Sequence, residues 1–128
     1  MILGVGIDLV DVARVQRMIE SHGKRLLERL FTSSERAYAL SMARPALHFA
    51  VRLAAKEAAF KALSGTAGAR AIGWSEIEVT RDDLGRPSVA FHGRAADRAR
   101  ELGVTKCHCS LSHTDSNAAA VVVLEASV

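Results

Sequence analysis

Two carboxylates and a small set of cations are the residues best placed by type and spacing to do chemistry. Asp8 follows a short apolar run, Ile2 to Ile7, and Glu57 lies in a long Ala-rich segment that also carries Arg52, Lys56 and Lys61. Two separated carboxylates suit Mg²⁺, which keeps several waters and takes one or two protein carboxylates together with substrate phosphate oxygens. Asp8 with Glu57 fits that pattern. A blander account stands beside it. Glu57 and Lys61 are an i,i+4 pair of the kind that contributes about 0.3–0.5 kcal/mol on an exposed helix face, and Asp8 or Asp11 could do no more than cap the following helix.

Other constellations carry less. Cys107-His108-Cys109 offers three metal-ligating side chains, but on a strand both thiols share one face and the imidazole takes the other, so one ion does not easily reach all three. Without a second cysteine pair at zinc spacing, the thiols read as small buried apolar groups. Ser110, Ser112 and His113 do not form a nucleophilic triad, because Ser112 and His113 point to opposite faces and no Gly-x-Ser-x-Gly turn occurs. His113 closes its strand at a polar turn, where a side chain can reach a ligand. Gly4 and Gly6 lack the third glycine of a dinucleotide fingerprint, and no Gly-rich phosphate loop ending in Lys-Ser or Lys-Thr is present.

These residues need elements to hold them. Ile2 to Ile7 reads as a strand ending at Asp8, its two glycines permitting close approach by another backbone. Val12, Val15, Met18 and Ile19 recur at helical spacing, with Asp11 as N-cap and Gly23 as the stop. Thr32-Ser33-Ser34-Glu35 has capping-box spacing and predicts a helix to about Arg44, before Pro45. Ala46 to Leu63 is the strongest helical signal. On its wheel, small apolar residues cover one arc and Leu53 with Phe60 another. Arg52 and Lys56 lie along one border between them, Glu57 and Lys61 along the other, so some charges are expected in a cleft or a subunit interface. Ile77 to Thr80 and Ser88 to Phe91 predict a hairpin around Asp82 to Pro87. Arg94 to Leu102 predicts a short helix stopped by Gly103. Lys106 to Ser112 and Ala118 to Glu125 predict two strands joined by a polar turn. The order implies an α+β fold, an antiparallel sheet packed with one long and several shorter helices.

The chain's 128 residues match one domain, since cores usually serve about 100–200 residues apiece. With 49% hydrophobic and 24% charged residues, it can bury a core, which excludes disorder as the working state. No apolar run approaches the roughly 20 residues that cross a bilayer, so no membrane role is expected. The opening residues lack the pattern of a signal peptide, predicting a cytoplasmic location with reduced thiols. A net charge of +3 points to an anionic partner without saying which. Only 5% of residues are aromatic, too few for a convincing stacking platform for single-stranded nucleic acid. A basic, non-catalytic nucleic-acid-binding module is still the alternative that this charge allows.

Four segments in order carry a more specific message: Gly4-Val5-Gly6-Ile7-Asp8-Leu9-Val10, Phe31-Thr32-Ser33-Ser34-Glu35, Arg52-Leu53-Ala54-Ala55-Lys56-Glu57-Ala58-Ala59-Phe60-Lys61-Ala62-Leu63, and Ser110-Leu111-Ser112-His113. Together they resemble the holo-acyl-carrier-protein synthases, the short members of the 4′-phosphopantetheinyl transferase family, over nearly the whole chain. The resemblance implies one transferase domain over residues 1–128 that moves 4′-phosphopantetheine from coenzyme A to a serine of apo acyl carrier protein. Adenosine 3′,5′-bisphosphate is the other product. The carrier belongs to fatty acid biosynthesis or to polyketide synthesis, and the residues do not distinguish them.

Carried over by motif position, the resemblance makes Asp8 and Glu57 ligands of Mg²⁺. Glu57, Lys61 and His113 become the catalytic residues, and Arg44, Arg52, Lys61 and His113 contact coenzyme A. The serine proton passes to Glu57 or to a water on the metal, and both routes stay open. Arg14, Arg17, Met18 and Arg25 resemble a docking surface for the acidic carrier protein. Short members are homotrimers with sites shared between neighbours, so the same is expected here, with no nucleic acid or membrane as partner.

Overall fold

The computed structural model describes residues 1–127. A long strand, β1 (Ile2–Asp11), leads into a kinked helix, α1 (Val12–Leu30), and two further helices follow, α2 (Ser33–Leu40) and α3 (Pro45–Leu63). Two short 3₁₀ turns, Gly68–Ala71 and Trp74–Glu76, precede the hairpin of β2 (Ile77–Arg81) and β3 (Pro87–Phe91). Helix α4 (Gly93–Leu102) then leads to β4 (Lys106–His113) and β5 (Asn117–Glu125). The expected α+β class holds. The antiparallel strands form two sheets rather than one, a three-stranded sheet in the order β1-β5-β4 and the separate β2-β3 hairpin.

Helix α3 is the centre of the molecule. Ala50, Ala54, Ala55, Ala58 and Ala59 have no exposed surface, because the helix is enclosed by β1, β5, α1, α2 and the hairpin. A row of alanines lets a neighbouring backbone come close, and β1 answers it with glycine. A Cβ at Gly4 would overlap the carbonyl oxygen of Ala62, and one at Gly6 that of Ala58. The two glycines predicted to allow a close approach do so against α3.

Local signals explain the other joints. Asp11 accepts from the Ala13 amide at 2.9 Å and caps α1. Thr32 and Glu35 form the reciprocal capping box of α2, and Gly103, at φ +81°, ends α4 in the left-handed conformation. Three boundaries move. Strand β1 runs on to Asp11 because β5 continues the ladder, pairing Asp8 with Ala120 and Val10 with Ala118. Asp8 therefore sits within a strand. Gly23, at φ +57°, stops the first helical stretch, but the chain resumes a helix on a new axis and reaches Leu30. Helix α2 ends at Leu40, where Ser41 takes its last carbonyls with its amide and hydroxyl. Arg44 is then non-helical ahead of Pro45.

The two faces of the three-stranded sheet differ. Gly6, Val10, Ala118, Ala120, Val122 and Leu124 are buried, facing α3. On the opposite face Val5, Ile7 and Leu9 are 57%, 65% and 70% exposed.

Candidate active site

Asp8 shares the inward register of Gly6 and Val10 and so meets the last turns of α3. Its side chain is only 10% exposed. Oδ1 accepts from Lys61 Nζ at 2.9 Å, and the same ammonium donates to the Ile7 carbonyl at 3.0 Å. Oδ2 is buried without a hydrogen-bond partner. Lys61 thus crosses to β1 rather than forming the surface pair with Glu57 that its spacing allowed. The Glu57 carboxyl is pushed up to about 7, first by burial and then by the Asp8 carboxylate beside it, against the opposing pull of Lys61 and Arg14.

Two carboxylates in contact, with one direct ammonium and an orphaned buried oxygen, are short of positive charge. A donor set of oxygens only fits a hard divalent cation such as Mg²⁺. Among the described residues no group of three or more His, Cys, Asp or Glu side chains converges on one point. Cys107 and Cys109 are half-buried beneath α3's side of the sheet, and burial raises their thiols to about 12 and about 11. They are unreactive packing groups, as expected. His108 points outward and pairs with Glu125 at 3.0 Å.

A second cluster, rich in cations, surrounds the other half of α3. Arg52 is 3% exposed, and its guanidinium lies 4.1 Å from the centroid of the Tyr38 ring, with that of Arg81 5.5 Å away. Arg52 reaches the His48 carbonyl at 3.4 Å, but its Nε is buried without a partner. Arg81 donates to the Gly85 carbonyl at 2.8 Å. Neither arginine pairs with a carboxylate among the described residues. Arg44 is held against Asp115 at 3.4 Å. His48 stands edge-on to Tyr38. Its pKa is lowered by burial and then by Arg52, His113, Arg81 and Arg44, which places exposed His113 in the same field. A buried guanidinium without a carboxylate partner, with the exposed Arg81 beside it, is chemically suited to a polyanion.

The expected residues therefore fall into two groups. Asp8, Glu57 and Lys61 meet at one end, with Arg14 near enough to act on Glu57. Arg44, Arg52 and His113 meet at the other. Glu57 follows Arg52 by five residues, about 7.5 Å along α3 and roughly 140° around it, so one chain does not bring the groups together. Tyr38, His48 and Arg81 were not foreseen. Arg81 reads as the edge of a charged turn and Tyr38 as packing, and no local spacing links them to Arg52. On α1, Arg14, Arg17 and Arg25 are exposed. Met18 is half-buried against the core, so its role in a docking face is limited to its outer edge.

Residues 4–122 match the 4′-phosphopantetheinyl transferase superfamily. A holo-(acyl-carrier-protein) synthase of Koribacter versatilis is 46% identical over 125 residues, covering 98% of this chain and 99% of that protein. The fold is similar to the crystal structure of the Neisseria meningitidis holo-(acyl-carrier-protein) synthase, with a TM-score of 0.86, 28% identity, and coverage of 98% and 99% of the two chains. It is also similar to the Bacillus anthracis holo-(acyl-carrier-protein) synthase in complex with coenzyme A (3′,5′-ADP), with a TM-score of 0.79, 33% identity and 99% of each chain covered.

Proposed function

The chain belongs to the 4′-phosphopantetheinyl transferase superfamily, and from that premise we infer that it is a holo-acyl-carrier-protein synthase. It transfers 4′-phosphopantetheine from coenzyme A to a serine hydroxyl of apo acyl carrier protein and releases adenosine 3′,5′-bisphosphate. Membership favours the transferase over the nucleic-acid-binding module that the basic balance allowed. The observation that carries the chemistry is the meeting of Asp8, Glu57 and Lys61 where β1 crosses α3.

Asp8 and Glu57 would hold Mg²⁺ there, where the ion would draw charge from the phosphoryl oxygens. Lys61 adds an ammonium that donates to Asp8 and offsets charge on the diphosphate. The serine oxygen bonds to the β-phosphorus of coenzyme A. The bond from that phosphorus to the bridging oxygen breaks, and the adenosine bisphosphate leaves with the electron pair. Glu57 is the chain's own group placed to take the serine proton. Arg44, Arg52 and His113 bind the phosphates of coenzyme A, and Tyr38 and Arg81 join them.

The two separated groups support a homotrimer in which one protomer's carboxylate end faces its neighbour's cation cluster. The exposed apolar face of Val5, Ile7 and Leu9 supplies a surface for such an assembly. Arg14, Arg17 and Arg25, with the edge of Met18, form the docking face for the acidic carrier. Residues 1–128 act as one domain, and among the described residues no helix is long and apolar enough to cross a membrane. A cytoplasmic location suits its two free cysteines.

Mass spectrometry of apo carrier protein incubated with coenzyme A, Mg²⁺ and this protein tests the reading. The expected result is a gain of one phosphopantetheinyl group on the carrier serine. An unmodified carrier from both fatty acid and polyketide systems would overturn it.

A further inference from the structure

The ammonium of Lys56 is sealed in the interior, and neither its side chain nor that of Glu35 has any exposed surface. Nζ lies 2.7 Å from Glu35 Oε1 and donates to the Trp74 carbonyl at 3.0 Å and to the Ile77 carbonyl. Glu35 also accepts from the Thr32 amide at 2.9 Å and, through Oε2, from the Val79 amide at 2.8 Å. An ammonium has three donors, and three acceptors meet them. Burial lowers the Lys56 pKa, and Glu35 counters part of that effect.

Such pairs are weak contributors to stability, because apolar side chains of similar volume often hold a fold as well. A buried pair with every partner matched does fix geometry. This one ties α3 to the start of α2 and to β2, the three elements that supply the Arg52, Tyr38 and Arg81 cluster. Arg52 is one turn before Lys56 on α3, and Tyr38 is three residues beyond Glu35 on α2. Arg81 lies on the same strand face as Val79, two residues along. The open space beside the cluster is lined by Glu35 and Val79 as well as by Tyr38, Arg52 and Arg81. We propose that Lys56 and Glu35 are positioning residues, which hold the Arg52–Tyr38–Arg81 stack in register to receive the adenosine bisphosphate end of coenzyme A. The proposal rests on the functional reading above and goes beyond it, because neither residue touches the nucleotide.

The test compares the unmodified full chain with Lys56→Met, Glu35→Gln and the double variant Lys56→Met/Glu35→Leu, which replaces the pair by apolar side chains. Calorimetry with adenosine 3′,5′-bisphosphate gives Kd, steady-state assays give kcat and KM for coenzyme A, and near-ultraviolet circular dichroism defines the temperatures at which each variant is folded. Within those temperatures, Kd and KM should rise between about ten- and a hundred-fold, the scale of loss when a residue that orients a metal ligand is removed, with kcat much less affected. A purely structural role would lower the Tm and leave Kd unchanged, which overturns the proposal. The double variant decides the matter where single variants do not fold. Wild-type Kd in that variant, or its failure to fold, overturns the positioning role. An unmodified chain that does not bind adenosine 3′,5′-bisphosphate overturns the functional reading instead, and this proposal with it.

Discussion

Lys61 donates to Asp8 Oδ1 at 2.9 Å and so joins the last turns of α3 to the middle of β1. That contact leaves Asp8 Oδ2 buried and without a partner beside Glu57. The arrangement sets two carboxyl groups side by side at a strand-helix crossing that only glycine makes close enough.

Asp8→Asn and Glu57→Gln should each lower turnover by at least about a hundred-fold, the scale of losing one stabilising group at a developing charge. Far-ultraviolet circular dichroism should match the unmodified chain. Mg²⁺ titration monitored by calorimetry should show binding weakened in both variants. Normal Mg²⁺ affinity in either would remove that residue from the metal site.

Gly6→Ala should destabilise the fold by about 1–3 kcal/mol, the range for overpacking a close contact. The new Cβ overlaps the Ala58 carbonyl, and backbone oxygen cannot swing aside as a side chain can. A lower urea midpoint is the expected signal. Turnover should fall as well, because Asp8 lies two residues along the displaced strand.

Glu78 gives stability a defined acid dependence. Hydrogen bonds from Ser34 and Thr32, each 2.6 Å, and from His92 hold its carboxyl down to about 2 from the ordinary 4.5. A depressed carboxyl contributes fully above its unfolded pKa and loses that contribution as pH falls through the folded one. The gap in urea midpoint between the unmodified chain and Glu78→Gln should be greatest near neutral pH and close between about 4.5 and 2. A gap that stays constant across that window would refute the assignment.

Val5→Glu places a charge on the exposed apolar face of the sheet. For the proposed homotrimer, sedimentation should shift toward monomer and turnover should fall with it. A monomeric variant with full activity would mean that each chain works alone.

Arg17→Glu and Arg25→Glu should lower kcat/KM for the carrier by on the order of tenfold at low ionic strength, with less effect at high salt. Such charges act mainly on encounter, so kcat and the KM for coenzyme A should change little. Equal losses at low and high salt would argue against steering.

Much of this was legible from local chemistry. The capping box at Thr32 and Glu35, the αL stop at Gly103 and the Asp82 to Pro87 turn depend on neighbours a few residues apart, so pattern alone located them. Charges set between two apolar surfaces on α3 pointed to a cleft or a subunit interface, whereas Lys56 is enclosed in the core against Glu35. Ordered motifs around Asp8, Glu57 and Lys61 carried the family. The sequence by itself thus determined most of the elements and the family, and raised the expectation of an oxygen-ligated metal and a phosphate-bearing partner.

What only the tertiary structure decided were contacts between distant elements. Lys61 meets Asp8 rather than Glu57 because β1 lies against α3 at the distance its glycines allow. Lys56 finds Glu35 across 20 intervening residues of no regular spacing. Tyr38 is gripped by Arg52 and Arg81 from two other elements. Local pattern reports which side of a helix or strand is apolar, a property of one segment. It does not report which charge will be enclosed by a second segment, because that depends on how three packed elements exclude water together.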